Sequence, residues 1–242
     1  MNKSEDIKNE EEEENSQEMQ GQEENSQEMH GQEEENHMSI EELIAMVAGK
    51  AEKDDKDDLD DMRSIGLYGD VEEERVSEVI SGLLTLHHIG KPKLSDDGEV
   101  TEEGKPIKLY VSTYGGSADE MASLVDIIGI VKKDCPIHTI GLGKVMSAGV
   151  LILASGTKGE RYIGKNCRVM IHSVIAGQHG SLHNLENELA EVKKMQDIYL
   201  SSLADVTNMS KKQLKSFMRR KQNVYLNAEE AIKYGIADKI LE

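Results

Sequence analysis

Two polar residues in the middle of the chain have the types and surroundings of a nucleophile and its base. Ser147 lies between small residues at the head of the apolar run “SAGVLILASG”, and His172 follows the apolar segment “RVMI”. A histidine with a pKa of about 6.5 can take the proton of a serine hydroxyl at neutral pH, which makes the oxygen a nucleophile for acyl transfer. Taken alone, each residue also has an ordinary interpretation, Ser147 as a helix N-cap and His172 as a core histidine.

A diglycine turn in “STYGGS” is the third part of the pattern. Gly115 and Gly116 fall where a strand becomes a helix, so the backbone can approach a ligand closely and direct free N–H groups at it. Two glycines at such a position are also typical of a plain tight turn. Together, the three segments would place a nucleophile, a general base and oxyanion donors on three neighbouring parallel strands.

Short β patterns alternate with helical patterns from Arg63 onward, and these elements would position the three segments. The predicted order is strand “SIGLYGDV”, helix “EEERVSEVISGLLTLHHIG”, polar loop “KPKLSDDGEVTEEGKP”, strand “IKLYVST”, helix “SADEMASLVDIIGIVKKD”, strand “PIHTIGLG”, short helix “SAGVLILASG”, strand “RVMIHSV”, long helix “SLHNLENELAEVKKMQDIYLSSLADVTN”, helix “SKKQLKSFMRR”, and a closing strand, helix and strand in “VYLNAEEAIKYGIADKIL”. This alternation predicts an α/β fold with parallel strands and right-handed crossovers.

From about Arg63 to Leu241 the chain resembles the Clp protease proteolytic subunit, a serine peptidase of the ClpP/crotonase fold. Four segments carry the resemblance: “LYVSTYGGSADEMASLVDII”, “GKVMSAGVLILASGTKGERY”, “NCRVMIHSV” and “VYLNAEEAIKYGIADKI”. The resemblance implies repeated strand-strand-helix units with a protruding handle helix, here residues 181–205. It also implies a serine-type endopeptidase domain over residues 62–242.

The resemblance assigns roles to five residues. Ser147 is the nucleophile, His172 its general base, and the backbone N–H groups of Gly116 and Ala148 form the oxyanion hole. The family has an aspartate before the aromatic of the last strand, where this chain has Asn223. An amide can accept the Nδ1–H of the imidazole but cannot stabilise an imidazolium by charge, so a slow peptidase is expected.

The chain offers other acids for the third role, and it differs from the family pattern in two loops. Three aspartates remain as substitutes for the missing acid, although the long helix and the closing turn are poor places for one: Asp197, Asp205 and Asp238. Tyr114 replaces the proline that precedes the diglycine in the family, and the loop between Gly90 and Pro106 is longer than usual. These changes leave substrate preference open.

The implied function is hydrolysis of unfolded polypeptides through an acyl-enzyme, inside a homo-oligomer of two stacked seven-membered rings. The long helix would supply a buried apolar seam, made of Leu182, Leu185, Leu189, Val192, Met195, Ile198 and Leu203. The resemblance implies an AAA+ unfoldase as the partner, and because the chain contains no GxxxxGK[ST] motif, any ATP dependence would have to come from that partner. One alternative is a feeble subunit with a structural or regulatory role, and another is a crotonase-type acyl-CoA enzyme.

The charge of the chain lies almost entirely in its first 61 residues. These carry 23 acidic and 5 basic side chains, a net charge of −18 out of −19, and include two near-identical polar repeats at 13–22 and 23–32. Such a composition predicts a disordered acidic tail, solvated or docked to a basic partner, with one short helix at 39–50. The basic run 211–221 has a single aromatic, Phe217, and predicts no nucleic-acid binding.

Several further features argue against a membrane segment, a disulfide and a metal site. No apolar h-region or membrane-spanning run occurs, which predicts a cytoplasmic protein that does not bind membranes. Cys135 and Cys167 are expected to be buried free thiols. His179 and His183 lack the glutamate of a zinc-hydrolase helix, so no metal or other cofactor is expected. Lys144 is expected to be solvated, and the pair at 87–88 to be ordinary histidines at a helix end.

Overall fold

The computed structural model describes residues 63–219 and 223–241. The predicted acidic tail, its repeat and its short helix lie outside these residues. Across the two described ranges, no helix is both long enough and apolar enough to cross a membrane.

The described residues form nine strands and six helices. The strands are β1 (Ser64–Tyr68), β2 (Lys93–Leu94), β3 (Val100–Glu102), β4 (Ile107–Thr113), β5 (Ile137–Met146), β6 (Arg161–Gly164), β7 (Arg168–Ile171), β8 (Val224–Leu226) and β9 (Lys239–Leu241). The helices are α1 (Glu73–Gly90), α2 (Ala118–Val131), α3 (Ala148–Ala154), α4 (Leu182–Val206), α5 (Lys211–Arg219) and α6 (Ala228–Lys233).

A mostly parallel sheet organises the fold and confirms the predicted α/β class. Its main path is β1-β4-β5-β6-β9, all in parallel register. The long strand β5 pairs with β6 through residues 139–141 and with β7 through residues 144–146. This double pairing lets β7, which precedes His172, lie directly beside the end of β5, which precedes Ser147.

The core lies between the sheet and helices α1, α2 and α3. Alternate residues of β4, namely Ile107, Leu109 and Val111, are fully buried, as expected for a strand with one face on a core. Every residue of α3 is also buried. This helix therefore has fixed surroundings from its first residue, next to Ser147.

Four predicted features differ from the structure. The polar loop after α1 contains the hairpin β2–β3, because the Ser95 side chain accepts from the Glu99 N–H at 3.1 Å and stabilises the turn. Strand β6 was not predicted; it is short and begins with a charged residue. Strand β8 pairs antiparallel with β7, although helices α4 and α5 lie between the two strands along the chain. Strand β7 ends at Ile171, so His172 lies just beyond it.

The apolar seam predicted on the long helix is not buried in the single chain. Leu203 is fully buried, but Leu182, Leu189 and Ile198 are 68%, 52% and 50% exposed. The residues that α4 does bury are Tyr199, Leu200 and Leu203, because its contacts with the core involve only its last turns. Leu185 is also exposed, whereas Val192 and Met195 are partly buried.

His87 also differs from its prediction. It is buried, and its Nε2 lies 2.8 Å from Asp134 Oδ2. The pair joins the end of α1 to the segment that follows α2, so His87 has a structural role beyond its place at a helix end. Its neighbour His88 is exposed.

Candidate active site

The three chemical segments lie at the ends of three adjacent strands. β4 and β5 are paired up to Thr113 and Val145, and β5 and β7 up to Met146 and Met170. Because the strands are parallel, the residues that follow them leave the sheet at the same edge. The diglycine turn, Ser147 and His172 therefore meet there.

Ser147 occupies the N-cap position of α3 but does not cap it with its side chain. Its φ is 54° and its ψ is −122°, and it is the single non-glycine residue of the described chain with a positive φ. The hydroxyl points away from the first helical turn, and Ser147 Oγ lies 2.7 Å from His172 Nε2. This distance is a normal hydrogen bond between the two groups.

His172 is half-buried beside Ser147. Burial lowers the pKa of its imidazole below the ordinary value, because a partly apolar environment disfavours the charged form. The ring is therefore neutral at pH 7, with Nε2 able to accept a proton from the serine hydroxyl. This is the protonation state that a general base requires.

The diglycine turn packs directly against Ser147. Gly115 has a φ of 103°, and a Cβ atom at this position would lie 2.5 Å from the Ser147 Cβ. Gly115 N–H donates to Thr113 Oγ1 at 2.9 Å, which closes the turn. Only glycine fits both the conformation and the space.

Two backbone N–H groups remain available at this point. Val71 bonds to the residues on either side of Gly116, whose own N–H has no partner among the described residues. Ala148 is the first residue of α3, so its N–H has no acceptor within the helix. Both residues line the same cleft as Ser147 and His172.

Asn223 directly precedes β8. The antiparallel register of β7 and β8 ends at Ile171 and Val224, and one further step of the same register would set Asn223 opposite His172. Residues in such positions have Cβ atoms about 4.5–5.5 Å apart. Asn223 is exposed, and within residues 63–219 and 223–241 no hydrogen bond joins it to the imidazole.

The three substitute aspartates lie elsewhere. Asp238 binds Arg161 through both carboxylate oxygens, at 2.8 and 2.6 Å. Burial alone would raise the pKa of Asp238, but the hydrogen bonds from Arg161 and the Gly159 N–H lower it overall. Asp197 pairs with Lys211 at 2.8 Å on the exposed side of α4, and Asp205 is exposed on the same helix. The structure brings none of them to His172.

A cleft of about 340 Å³ lies in front of Ser147. Its lining is mostly apolar or aromatic, and comprises Tyr114, Gly116, Ser117, Ala118, Met121, Ser147, Ala148, His172, Val174, Ile175 and Tyr199. No carboxylate or lysine is among these residues. Lys144 stands just outside, with its Nζ 4.5 Å from the centre of the exposed Tyr114 ring, so it is partly covered and not freely solvated.

Two residues of α4 that no sequence motif marks contact segments of the site. Tyr199 donates its hydroxyl to the Ser147 carbonyl at 3.0 Å. Gln196 accepts the Val174 N–H at 2.8 Å and so orders the segment that follows His172. Two sequence features could have identified Tyr199. It lies four residues before the buried Leu203 on the same face of the helix, and aromatic residues make up only 3% of the chain.

The remaining candidates for chemistry lie away from the cleft. Cys135 and Cys167 are buried and unbridged, as predicted. Burial raises the pKa of the Cys167 thiol to about 11, so it is not a nucleophile at neutral pH. His183 lies on the exposed face of α4 near Glu186, and the part of the chain that the structure describes holds no cluster able to ligate a metal.

Comparison with known families agrees with this arrangement. The family model described as Clp protease matches residues 47–242, about four-fifths of the chain. The match includes the diglycine turn, Ser147 and His172, together with every element that positions them. Membership of this family implies a peptidase, an enzyme that hydrolyses peptide bonds. The chain belongs to the Clp protease family.

Proposed function

We propose that this Clp-type peptidase is a serine endopeptidase that cleaves unfolded polypeptides through an acyl-enzyme. The observation that carries the proposal is the 2.7 Å contact between Ser147 Oγ and His172 Nε2. The hydroxyl is free of any helix-capping bond, and the unpaired N–H groups of Gly116 and Ala148 lie beside it. Nucleophile, base and oxyanion donors are the minimum set for acyl transfer.

In the first half of the reaction, His172 takes the proton of Ser147 as the serine oxygen attacks the peptide carbonyl. The carbonyl oxygen becomes negatively charged and receives hydrogen bonds from the Gly116 and Ala148 N–H groups. Each such donor typically contributes about 10²–10³ in rate. The tetrahedral intermediate then collapses, and His172 gives its proton to the leaving amine.

In the second half, His172 takes a proton from water as the water oxygen attacks the ester on Ser147, and then gives that proton to Ser147 Oγ as the bond to the acyl group breaks and the carboxylic acid product leaves. Both halves pass through a protonated His172. Asn223 is the proposed third member of the set, where its carbonyl oxygen would accept the Nδ1–H and orient the ring. As an amide it adds no charge stabilisation to the imidazolium, so a low turnover is expected.

The exposed seam of α4 supports an oligomer. Leu182 and Leu189 are more than half exposed, and together with Leu185 they form an apolar row that a single chain leaves uncovered. We infer that a second copy covers it in a homo-oligomer of two stacked heptameric rings. A closed chamber of this kind would take substrate from an AAA+ unfoldase of the Clp type, in the cytoplasm.

One alternative has a specific observation in its favour. Because Asn223 is exposed and does not bind His172 in the described chain, the subunit could be weakly active or inactive and serve a structural or regulatory role in a ring. The crotonase-type alternative has none, since an acyl-CoA enzyme would not need the contact between Ser147 and His172.

A serine-reactive fluorophosphonate tests the proposal on the full-length protein. We expect covalent labelling that Ser147→Ala abolishes and Ser216→Ala, at an exposed serine of α5, leaves intact. Hydrolysis of a fluorogenic peptide should disappear in Ser147→Ala and persist in Ser216→Ala. A correctly assembled oligomer that neither labels nor cleaves would favour the structural role.

A further inference from the structure

The backbone of Ser147 adopts a conformation that its surroundings must hold in place. A φ of 54° with a ψ of −122° is rare for a residue with a side chain, and persists only where neighbouring contacts fix it. Two backbone hydrogen bonds contribute. The Ser147 N–H donates to the Met170 carbonyl at 2.8 Å, and the Ser147 carbonyl accepts from the Val150 N–H at 3.0 Å.

One side chain also holds this backbone. The Tyr199 hydroxyl lies 3.0 Å from the Ser147 carbonyl oxygen, and the residue is only 4% exposed. Burial raises the pKa of the phenol above its ordinary value, so the hydroxyl keeps its proton and acts as the donor. The bond is the one that the hydroxyl makes within the described residues.

We propose that Tyr199 is a positioning residue for the oxyanion hole, acting through the peptide group between Ser147 and Ala148. The Ser147 carbonyl and the Ala148 N–H belong to one planar unit. Because every described peptide bond is trans, the two groups point in opposite directions. A hydroxyl that fixes the carbonyl therefore fixes the direction of the N–H. It also polarises the N–H, which becomes a better donor to an oxyanion.

The variant Tyr199→Phe tests this role, since it removes the hydroxyl and keeps the buried ring. Loss of a whole oxyanion donor costs about 10²–10³ in turnover. Because the variant loosens the donor without deleting it, we expect kcat for a fluorogenic peptide to fall about 10-fold with KM unchanged. Affinity for a peptide boronate, whose tetrahedral adduct on Ser147 places an oxygen between the donors, should fall by the same factor.

Tyr234→Phe is the matched control. Tyr234 is half-buried, its ring packs against Phe217 with centroids 5.8 Å apart, and it lies outside the cleft, so kcat and boronate affinity should not change. A packing defect alone would lower the melting temperature of Tyr199→Phe without the matched loss of kcat and boronate affinity.

This inference rests on the proposed function, and the two fail in different ways. A wild-type protein that neither labels nor cleaves refutes both. An active wild type whose Tyr199→Phe variant keeps its kcat and boronate affinity refutes the role of Tyr199 alone. A rise in KM at constant kcat also refutes it, because Tyr199 would then contribute to substrate binding.

Discussion

Replacing Asn223 with aspartate should add a negative charge to the proposed third member of the catalytic set. One further step of the β7–β8 register would set position 223 opposite His172, with their Cβ atoms about 5 Å apart, and we expect a similar separation between the carboxylate and the imidazole. Two unit charges at that distance attract by about 3 kcal/mol at an effective dielectric constant of 20 and by about 1 kcal/mol in water. Because Asn223 is exposed, the lower half of this range applies, which corresponds to a rate gain of about 5–30-fold.

The pH dependence gives a second measure of the same interaction. Burial holds the pKa of His172 below its ordinary value, and only the neutral ring can act as base, so activity should rise with pH through that pKa and then reach a plateau. A carboxylate at position 223 stabilises the protonated ring and raises the pKa. In Asn223→Asp the pH at which activity rises should therefore increase by about one unit. The activity at the high-pH plateau should be greater than in the wild type.

The assay is cleavage of a fluorogenic peptide between pH 5 and 9 at low and high salt. Asn227→Asp is the matched control, because Asn227 caps α6 with its side-chain oxygen and aspartate caps equally well. It adds the same charge four residues away, and we expect no change in rate or midpoint. High salt should reduce the gain at position 223. An unchanged plateau with an unchanged midpoint would show that Asn223 is not the third member.

Three further changes test the site, the core and the assembly. Gly115→Ala should abolish labelling of Ser147 in a folded protein, because the new Cβ would lie 2.5 Å from the Ser147 Cβ; normal labelling would contradict this geometry. Asp238→Asn should lower the free energy of unfolding by about 3 kcal/mol, measured by urea denaturation, since Arg161 is left buried without its partner, whereas the exposed Asp197→Asn should leave it unchanged. Because its pKa is lowered, the contribution of Asp238 should be full above about pH 4 and be lost below it. Leu189→Glu should reduce the sedimentation coefficient of the oligomer without unfolding the chain, while Glu188→Gln should not; an intact oligomer would place the interface elsewhere.

The convergence of Ser147 and His172 was predictable because strand order alone determines it. Apolar segments of strand length precede both residues, and parallel strands end at one edge of a sheet. The backbone conformation of Ser147 was not predictable, since a serine before a helix is more often an N-cap. The choice between the two interpretations depends on contacts from Met170 and Tyr199, which lie far along the chain.

The contacts of residue 223 could be predicted only in part from the sequence. The resemblance predicts Asn223 in place of the missing acid, and the β7–β8 register, extended by one step beyond Ile171 and Val224, is consistent with that prediction. Whether an exposed side chain beyond the last strand pair bonds to the ring depends on rotamers that no periodicity encodes. The seam of α4 has the same ambiguity, because a helical stripe of leucines looks identical whether a core or a second subunit covers it.

The hydrogen bond from Tyr199 to the Ser147 carbonyl makes the site depend on the position of α4. α4 places Tyr199 against the Ser147 carbonyl and Gln196 against the Val174 N–H, so both the proposed oxyanion donor and the segment after His172 depend on the position of this helix. The same helix carries exposed leucines outside its buried last turns. Movement of α4 would therefore weaken the Ala148 donor before it separated Ser147 from His172, because that pair is held by β5 and β7. Loss of turnover with retained proximity of serine and histidine is the signature that distinguishes a displaced helix from a broken pair.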